Sequence, residues 1–191
     1  MIVNAYQTVE DRGDRDAVEA EGPFRCTRSD AWLGSGYYFW DTDLDRAHDW
    51  GRFAYRKFRK KYMIGWCELV INEGREENCF DLFGNVGHLK DFEESIEAFL
   101  KAGYLEEEDE LLMPKIVELL RKQSLLDYSA IRAADYPKED RDDEGKPTAK
   151  VVYFHPRKKE YMYLNPRVQI CVLDKPSVLL SSFQVIYPEE S

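Results

Sequence analysis

Long apolar segments are absent from this sequence. The longest uninterrupted apolar runs extend for about four residues, as in Ile170-Cys171-Val172-Leu173, whereas a membrane-spanning helix needs about 20. Residues Met1 to Tyr6 contain no basic stretch followed by an apolar segment of the secretory type. We therefore expect a cytoplasmic protein that has no membrane partner.

Metal-ligand and disulfide spacings are also missing. The sequence has four cysteines and three histidines, but it contains neither a C-x-x-C pair nor an H-x-x-x-H pair. Cys67 and Cys171 lie inside apolar, strand-like runs, which is typical of buried thiols. We expect no metal site and no disulfide framework.

The chain also lacks a net positive charge. The chain carries 27 Lys and Arg against 37 Asp and Glu, a formal charge of −10, which opposes non-specific attraction to a phosphate backbone. The basic run from Arg56 to Lys61 departs from this trend and could hold a local anionic ligand. The simpler interpretation is a solvated helix end, where cations complement the helix dipole.

The sequence contains enough apolar residues for one hydrophobic core. Of the 191 residues, 43% are hydrophobic and 14% are aromatic, so we expect a single domain over residues 1–191. β-branched and aromatic runs predict strands at Ile2 to Val9, Gly36 to Trp40, Met63 to Ile71, Cys79 to Phe83 as a continuation of the preceding strand, Val151 to Phe154, Val168 to Leu173 and Val178 to Tyr187.

Helical periodicity appears in two places. A helix is predicted from about Asp43 to Lys61, with Thr42 and Asp45 as a capping box. A helical insertion at about residues 88–123 follows, one helix ending at Gly103 and another beginning near Pro114. Charged, Gly-containing and Pro-containing stretches predict loops at Glu10 to Glu21 and Pro137 to Pro147.

The order of these elements indicates an α+β fold with a largely antiparallel or split sheet. A doubly wound parallel sheet would require strands and helices to alternate regularly, which they do not do here.

The segment Gly34-Ser35-Gly36-Tyr37-Tyr38-Phe39-Trp40-Asp41 is the clearest motif. Two glycines allow the backbone to approach a ligand closely. Strand alternation places Tyr38 and Trp40 on one face and Tyr37 and Phe39 on the other, so that one face can stack on a flat ring. The alternative is that these aromatic residues are all core.

With Ala47 and Trp50 downstream, this segment resembles the G-x-G-x-Y-F-x-D and Ser-Ala-x-Tyr pattern of poly(ADP-ribose) polymerase-like transferases. It is also similar to bacterial toxin-like members of the ADP-ribosyltransferase superfamily. The resemblance implies an ADP-ribosyltransferase-like split antiparallel sheet with NAD as a substrate. It places Tyr38 against nicotinamide, with the first strand, Tyr6-Gln7-Thr8, binding the carboxamide and a ribose.

The resemblance also implies where catalysis would occur. In the family a histidine of the first strand bonds the adenosine ribose, and Gln7 stands at that position. The catalytic glutamate begins the penultimate strand, where this chain has Gln169. Glu160 is a rival position with a true carboxylate, ranked second because Asn165-Pro166 interrupts the strand that it would need.

Cleavage of the nicotinamide–ribose bond develops oxocarbenium character, which a carboxylate stabilises better than an amide does. An amide can still hold a ribose hydroxyl, so mono-transfer or weak activity is compatible with Gln169. A long polymer product is not expected.

Polar residues before the glycine turn are candidates for phosphate binding. Arg25, Thr27, Arg28 and Ser29 could bond the pyrophosphate or the adenine ribose, because arginine presents a bidentate fork to phosphate. They could equally be solvated loop residues.

The leading hypothesis is an NAD-dependent mono-ADP-ribosyltransferase of the toxin-like or defence-associated bacterial kind, whose acceptor is a protein, a nucleic acid or a small molecule. Two alternatives remain. One is a catalytically inactive NAD- or protein-binding module of the same fold; the other is an NAD glycohydrolase with water as acceptor.

Overall fold

The structure is a computed structural model that describes residues 1–28, 30–74, 77–106, 111–136, 150–156, 160–175 and 181–188. The strands are β1 (Ile2–Glu10), β2 (Tyr37–Asp41), β3 (Tyr62–Val70), β4 (Cys79–Asp81), β5 (Ala130–Asp135), β6 (Val151–Tyr153), β7 (Tyr161–Tyr163), β8 (Arg167–Val172) and β9 (Gln184–Tyr187). The helices are α1 (Arg15–Glu21), α2 (Leu44–Ala54), α3 (Val86–Lys101) and α4 (Met113–Lys122).

Seven of these strands form one sheet in the order β4-β5-β8-β2-β1-β3-β9, and β6 pairs with β7 in a separate ribbon. Only the β4–β5 pair is parallel among the strand pairs of the described chain. The protein therefore combines helices with a mostly antiparallel sheet, in agreement with the α+β prediction. The predicted helical insertion corresponds to α3 and α4, which form the crossover that a parallel strand pair requires.

Strand β1 organises the sheet because it pairs along its whole length with β3, from Ile2↔Val70 to Glu10↔Tyr62. Its ladder with β2 is much shorter and covers Ala5↔Asp41 and Tyr6↔Trp40. Strands β1 and β2 are thus bound to each other near Tyr6 and separate beyond it.

Both faces of the sheet are covered. On one face, Val3, Ala5 and Val9 of β1 pack with Phe39 into the largest apolar cluster, which also contains Val18 of α1. On the other face, Ala47 of α2 packs over Ile64, and Val117 of α4 packs with Leu33 and Cys171. Full burial of side chains such as Phe39 stabilises the fold by about 2 to 3 kcal/mol each.

The buried-thiol prediction is confirmed for the two cysteines on which it was based. Cys67 and Cys171 are both buried, and burial raises the pKa of each thiol to about 12. Within the described ranges, no helix combines the length and the apolar character that crossing a membrane would take.

The prediction of a loop from Glu10 to Glu21 is wrong, because α1 occupies its second half. Asp14 caps the helix by accepting a hydrogen bond from the backbone of Ala17 at 2.9 Å. The helix is held against β9 by Glu19, whose Oε1 accepts from the backbone of Val185 at 2.8 Å. Seven residues are too few to show a helical period in sequence.

The prediction that Cys79 to Phe83 continues the preceding strand is also wrong. Strand β4 lies at the sheet edge beside β5. Two asparagine side chains hold the connection: Asn72 Oδ1 accepts from Cys79 N at 2.8 Å, and Asn78 Nδ2 donates to Val70 O at 3.0 Å. These bonds keep the start of β4 close to the end of β3.

Helix α2 is shorter than predicted. Its N-cap is Asp43, which accepts from Arg46 N at 3.0 Å, rather than Thr42, whose φ is 58°. The helix ends at Ala54, and a 3₁₀ turn of Arg56–Phe58 follows. The predicted Pro137 to Pro147 loop lies outside the described residues, as do residues 178–180 of the last predicted strand.

Candidate functional site

The glycine-aromatic segment enters the centre of the sheet as β2, between β1 and β8. Trp40 pairs with Tyr6 on one side and with Gln169 on the other, and Tyr38 pairs with Cys171. Residues opposite one another in an antiparallel pair project from the same face. The structure therefore brings Tyr6, Tyr38 and Gln169 onto one face, beside Trp40.

A loop folds over this face and contacts two of the predicted residues. Trp32 Nε1 donates a hydrogen bond to Gln169 Oε1 at 2.7 Å. The Tyr38 hydroxyl accepts from Leu33 N at 2.8 Å and donates to Gly34 O at 2.8 Å. Burial raises the pKa of Tyr38, so this hydroxyl stays neutral and fixes the loop.

The Gln169 amide is consequently oriented. An indole N–H can only donate, so its partner must be the amide oxygen, and the Nε2 group points elsewhere. Within the described part of the chain, Nε2 has no hydrogen-bond acceptor. Gln169 therefore presents two N–H donors beside the Trp40 ring.

Gly34 allows the chain to turn before β2. Its φ is +83°, a left-handed conformation that favours glycine, and its N–H donates to Ala31 O at 2.9 Å. A Cβ at Gly34 would touch Val117 of α4 at 3.5 Å. Gly34 shapes the loop that carries Trp32 and Leu33.

The space beside the Cα of Gly36 is occupied by the protein itself, and its predicted contact with a ligand stays a prediction. A Cβ at Gly36 would lie 2.4 Å from Cys171 Sγ and 2.8 Å from the backbone oxygen of Val172. The space is filled by β8. Gly36 is required because two strands approach each other closely at this point.

Gln7 is buried and its amide is engaged by the protein. Oε1 accepts from Phe24 N at 2.7 Å, while Nε2 donates to Phe24 O at 2.9 Å and to Tyr38 O at 3.2 Å. This side chain bridges β1 and β2 where their ladder has ended. Gln7 also projects from the face opposite to Tyr6, so the structure does not place it beside Gln169.

Thr8 and Tyr6 face helix α2. The Thr8 hydroxyl donates to Ala47 O at 2.7 Å, and Tyr6 packs with Trp40 in the cluster under this helix. Trp50, in contrast, is 37% exposed on the outer side of α2. The helix thus covers Tyr6 and Thr8 and carries Trp50 away from them.

Arg25 and Tyr37 form a second group at the Gly36 end of β2. Arg25 Nε donates to Ser35 Oγ at 3.1 Å. The Arg25 guanidinium lies 5.6 Å and the Lys175 ammonium 5.8 Å from the centroid of the Tyr37 ring. Two cations therefore flank one aromatic ring, on the face opposite to Tyr38.

The other predicted polar residues lie apart from these groups. Glu160 is exposed immediately before β7, which belongs to the two-stranded ribbon outside the central sheet. Arg28 forms an exposed ion pair with Asp30 at 2.6 Å, and Thr27 is exposed. Ser29 lies outside the described residues.

Sequence reasoning missed Arg132, which forms a buried ion cluster with the motif aspartate. Arg132 Nε lies 2.6 Å from Asp41 Oδ2, and its Nη1 lies 3.1 Å from Asp81 Oδ2. Arg132 is on β5, 91 residues after Asp41. No local spacing signals such a pair, and Trp32 and Lys175 were missed for the same reason.

The site is thus built from rings and one neutral amide. The partly buried Trp40 ring offers a flat apolar surface beside Tyr6, and Gln169 offers donors for hydroxyl or carbonyl oxygens. Among the described residues, no three His, Cys, Asp or Glu side chains come close enough together to hold a metal ion. The arrangement suits a ligand with a planar ring and hydroxyl groups.

Comparison with protein-family models, with curated proteins and with solved structures found no match to this chain.

Proposed function

We propose that this chain is an NAD-dependent mono-ADP-ribosyltransferase with an ADP-ribosyltransferase-like fold. The observation that carries the proposal is the position of β2, which pairs with the first strand and with β8 at once. Tyr38 and Gln169 therefore share one face although they are far apart in the chain. This is the juxtaposition that the glycine-aromatic motif and the penultimate-strand position imply in the family.

In this proposal the nicotinamide ring stacks beside Trp40, and Gln169 Nε2 donates to a hydroxyl of the attached ribose. Tyr38 is a positioning residue, because its hydroxyl holds the Trp32–Gly34 loop. The reaction breaks the nicotinamide–ribose bond, and nicotinamide leaves with the electron pair of that bond. A nucleophilic atom of the acceptor then bonds the ribose carbon of the ADP-ribosyl group and releases its proton to solvent. A neutral amide stabilises that cation less than a carboxylate does, so we expect slow transfer of single units.

Arg25 and Lys175 lie beside Tyr37, on the face of the sheet opposite to Trp40 and Gln169. A dinucleotide held by Trp40 and Gln169 does not reach across the sheet to them, so these two cations have no role in binding its pyrophosphate in this proposal.

A second candidate is a binding module that holds the dinucleotide without cleaving it. It is favoured by Gln7, whose amide makes three hydrogen bonds within the protein, and by the lack of charge on Gln169. A third candidate, an NAD glycohydrolase, would use the same site with water as the acceptor.

One experiment separates the three. NAD is titrated by calorimetry, and nicotinamide release is followed with and without an acceptor mixture of protein, single-stranded nucleic acid and small amines. Acceptor-dependent release with label transfer supports the transferase. Release that no acceptor changes indicates the glycohydrolase, binding without release indicates the module, and the absence of binding overturns all three.

A further inference from the structure

A basic aromatic patch covers the outer side of α2 and the turn that follows it. We define the patch by three rings and four cations: Trp50, Phe53, Phe58, Arg56, Lys57, Arg59 and Lys61. Gly51 fixes its orientation, because a Cβ there would lie 2.4 Å from the Tyr62 ring. Gly51 and Ala47 thus face the sheet and are buried, which leaves the ring-bearing side of the helix outward.

The rings are unusually exposed for their size. Phe53 is 60% exposed, Phe58 67% and Trp50 37%. The Trp50 and Phe53 ring centroids are 5.7 Å apart, and Lys57 Nζ lies 5.3 Å from the Phe53 centroid. Neighbouring exposed rings mark interaction surfaces more often than isolated ones do.

The cations of the patch are not neutralised by the protein. Lys60 pairs with Glu10 at 3.0 Å, and Arg52 pairs with Asp49. Arg56, Lys57, Arg59 and Lys61 form no ion pair with any acidic side chain of the described chain. This local positive charge stands out in a chain whose formal charge is −10.

We propose that the patch binds single-stranded nucleic acid. Unpaired bases stack on exposed aromatic rings regardless of sequence, and interleaved Lys and Arg contact the phosphates between them. A duplex cannot use the rings because its bases are already stacked. An acidic peptide would satisfy the cations but would offer no flat partners for three rings.

An anionic bilayer would also match rings and cations, but the overall charge disfavours it. A bilayer is an extended plane that brings its negative charge close to Asp45 and Asp49, which are exposed on the same helix. A single strand is narrow and can follow the cations alone, while charges more than about 10 Å away are screened at 0.1 M salt. These carboxylates and the net charge of −10 therefore oppose a bilayer more strongly than a strand.

The test uses the full chain without NAD, so its outcome is independent of the proposed transferase activity. Binding of fluorescein-labelled dT20 and rU20 is measured by anisotropy at about 50 mM and 200 mM salt. If four phosphates are contacted, the logarithm of the binding constant falls with the logarithm of the salt concentration with a slope of about −2.8. Binding is then about fiftyfold weaker at the higher salt concentration.

Two double variants separate charge from stacking. Lys57→Glu with Arg59→Glu is expected to abolish measurable binding at 200 mM salt. Phe53→Ala with Phe58→Ala is expected to weaken binding by about tenfold or more, the effect of losing base stacking. Both rings are mostly exposed, so the fold should survive, and melting curves check this.

The matched control is Lys90→Glu with Lys101→Glu on α3, which changes the net charge equally. The patch and α3 lie near opposite ends of β3. The patch precedes the first residue of β3, whereas α3 follows β4, and Asn78 just before β4 is hydrogen-bonded to Val70 at the last residue of β3. This control should bind the oligonucleotides about as well as the wild type. Equal losses in the control and the patch variants would overturn the proposal.

Two further outcomes would also overturn it. If the ring variant binds like the wild type while heparin competes fully, the patch is a general polyanion surface. If vesicles containing phosphatidylserine bind through the patch and the oligonucleotides do not, its partner is an anionic membrane.

Discussion

The indole of Trp32 donates a hydrogen bond of 2.7 Å to Gln169, although the two residues are 137 positions apart in the chain. This bond sets the direction of the Gln169 amide and couples the motif loop to β8. The donor side of the amide is then available to a ligand. The first prediction tests the proposed chemistry at Gln169, and the second tests how the motif loop is held.

Gln169→Glu is expected to raise nicotinamide release by at least about tenfold. A carboxylate at this position keeps the acceptor for Trp32 and adds the negative charge that an oxocarbenium-like transition state requires, an effect of about 2 to 4 kcal/mol. Release is measured by chromatography at matched folding. Glu160→Gln is the control, and it should leave release unchanged. Loss of release in that control would identify Glu160 as the working carboxylate.

Tyr38→Phe is expected to weaken NAD binding and to lower the free energy of unfolding by about 1 to 2 kcal/mol. The hydroxyl makes two hydrogen bonds to the backbone of the Trp32–Gly34 loop, each worth about 1 kcal/mol. Urea unfolding and calorimetric titration measure the two effects. A fully stable variant that binds NAD normally would show that the loop is held without this hydroxyl.

Gly36→Ala is expected to destabilise the fold by about 1 to 3 kcal/mol, because the new Cβ collides with the β8 backbone. Gly74→Ala is the control: its Cβ would meet nothing within 4 Å, so only the left-handed backbone at φ +67° opposes it. Thermal melting compares the two. A milder effect at Gly36 than at Gly74 would mean that β2 and β8 are less closely packed than described.

Gln7→Leu is expected to lower the free energy of unfolding by about 2 to 4 kcal/mol. The substitution removes a buried amide and leaves three backbone groups of Phe24 and Tyr38 without their partner. Gln184→Leu, at an exposed position of β9, should change stability little. If Gln7→Leu abolishes NAD binding while stability is unchanged, Gln7 serves the ligand and not the fold.

Asp41→Ala is expected to destabilise the protein by about 3 kcal/mol, because Arg132 would lose its closest carboxylate in a buried setting. Asp30→Ala is the comparison. It breaks the Arg28 ion pair, in which both side chains are more than 60% exposed, and it should produce no resolvable change. Similar urea midpoints for both variants would contradict the buried-cluster assignment.

Elements with strong local signals were predictable. The run from Tyr37 to Trp40 has high β-propensity and is a strand. The helices of the insertion have clear periodicity, and Gly103, at φ +73°, follows the first of them as predicted.

Features that depend on tertiary contacts were not predictable. Strand β4 has three residues, and its partner β5 is about 50 positions away, so nothing local assigns its place in the sheet. The close approach of Gly36 to β8 also depends on residues far along the chain, Cys171 and Val172. The ligand role of Gln7 comes from the resemblance alone, and the sequence gives no sign of whether protein or substrate satisfies a side-chain amide.

Strand β8 lies between β5 and β2, both of which precede it in the chain. During synthesis, the β4–β5 pair and the β2-β1-β3 strands therefore leave the ribosome before β8, the strand that joins them. Until then, β2 and β5 each carry an unpaired edge, the kind of surface from which wrong pairing and aggregation begin. We expect the nascent chain to depend on chaperones during this interval, and refolding yield to fall steeply as protein concentration rises.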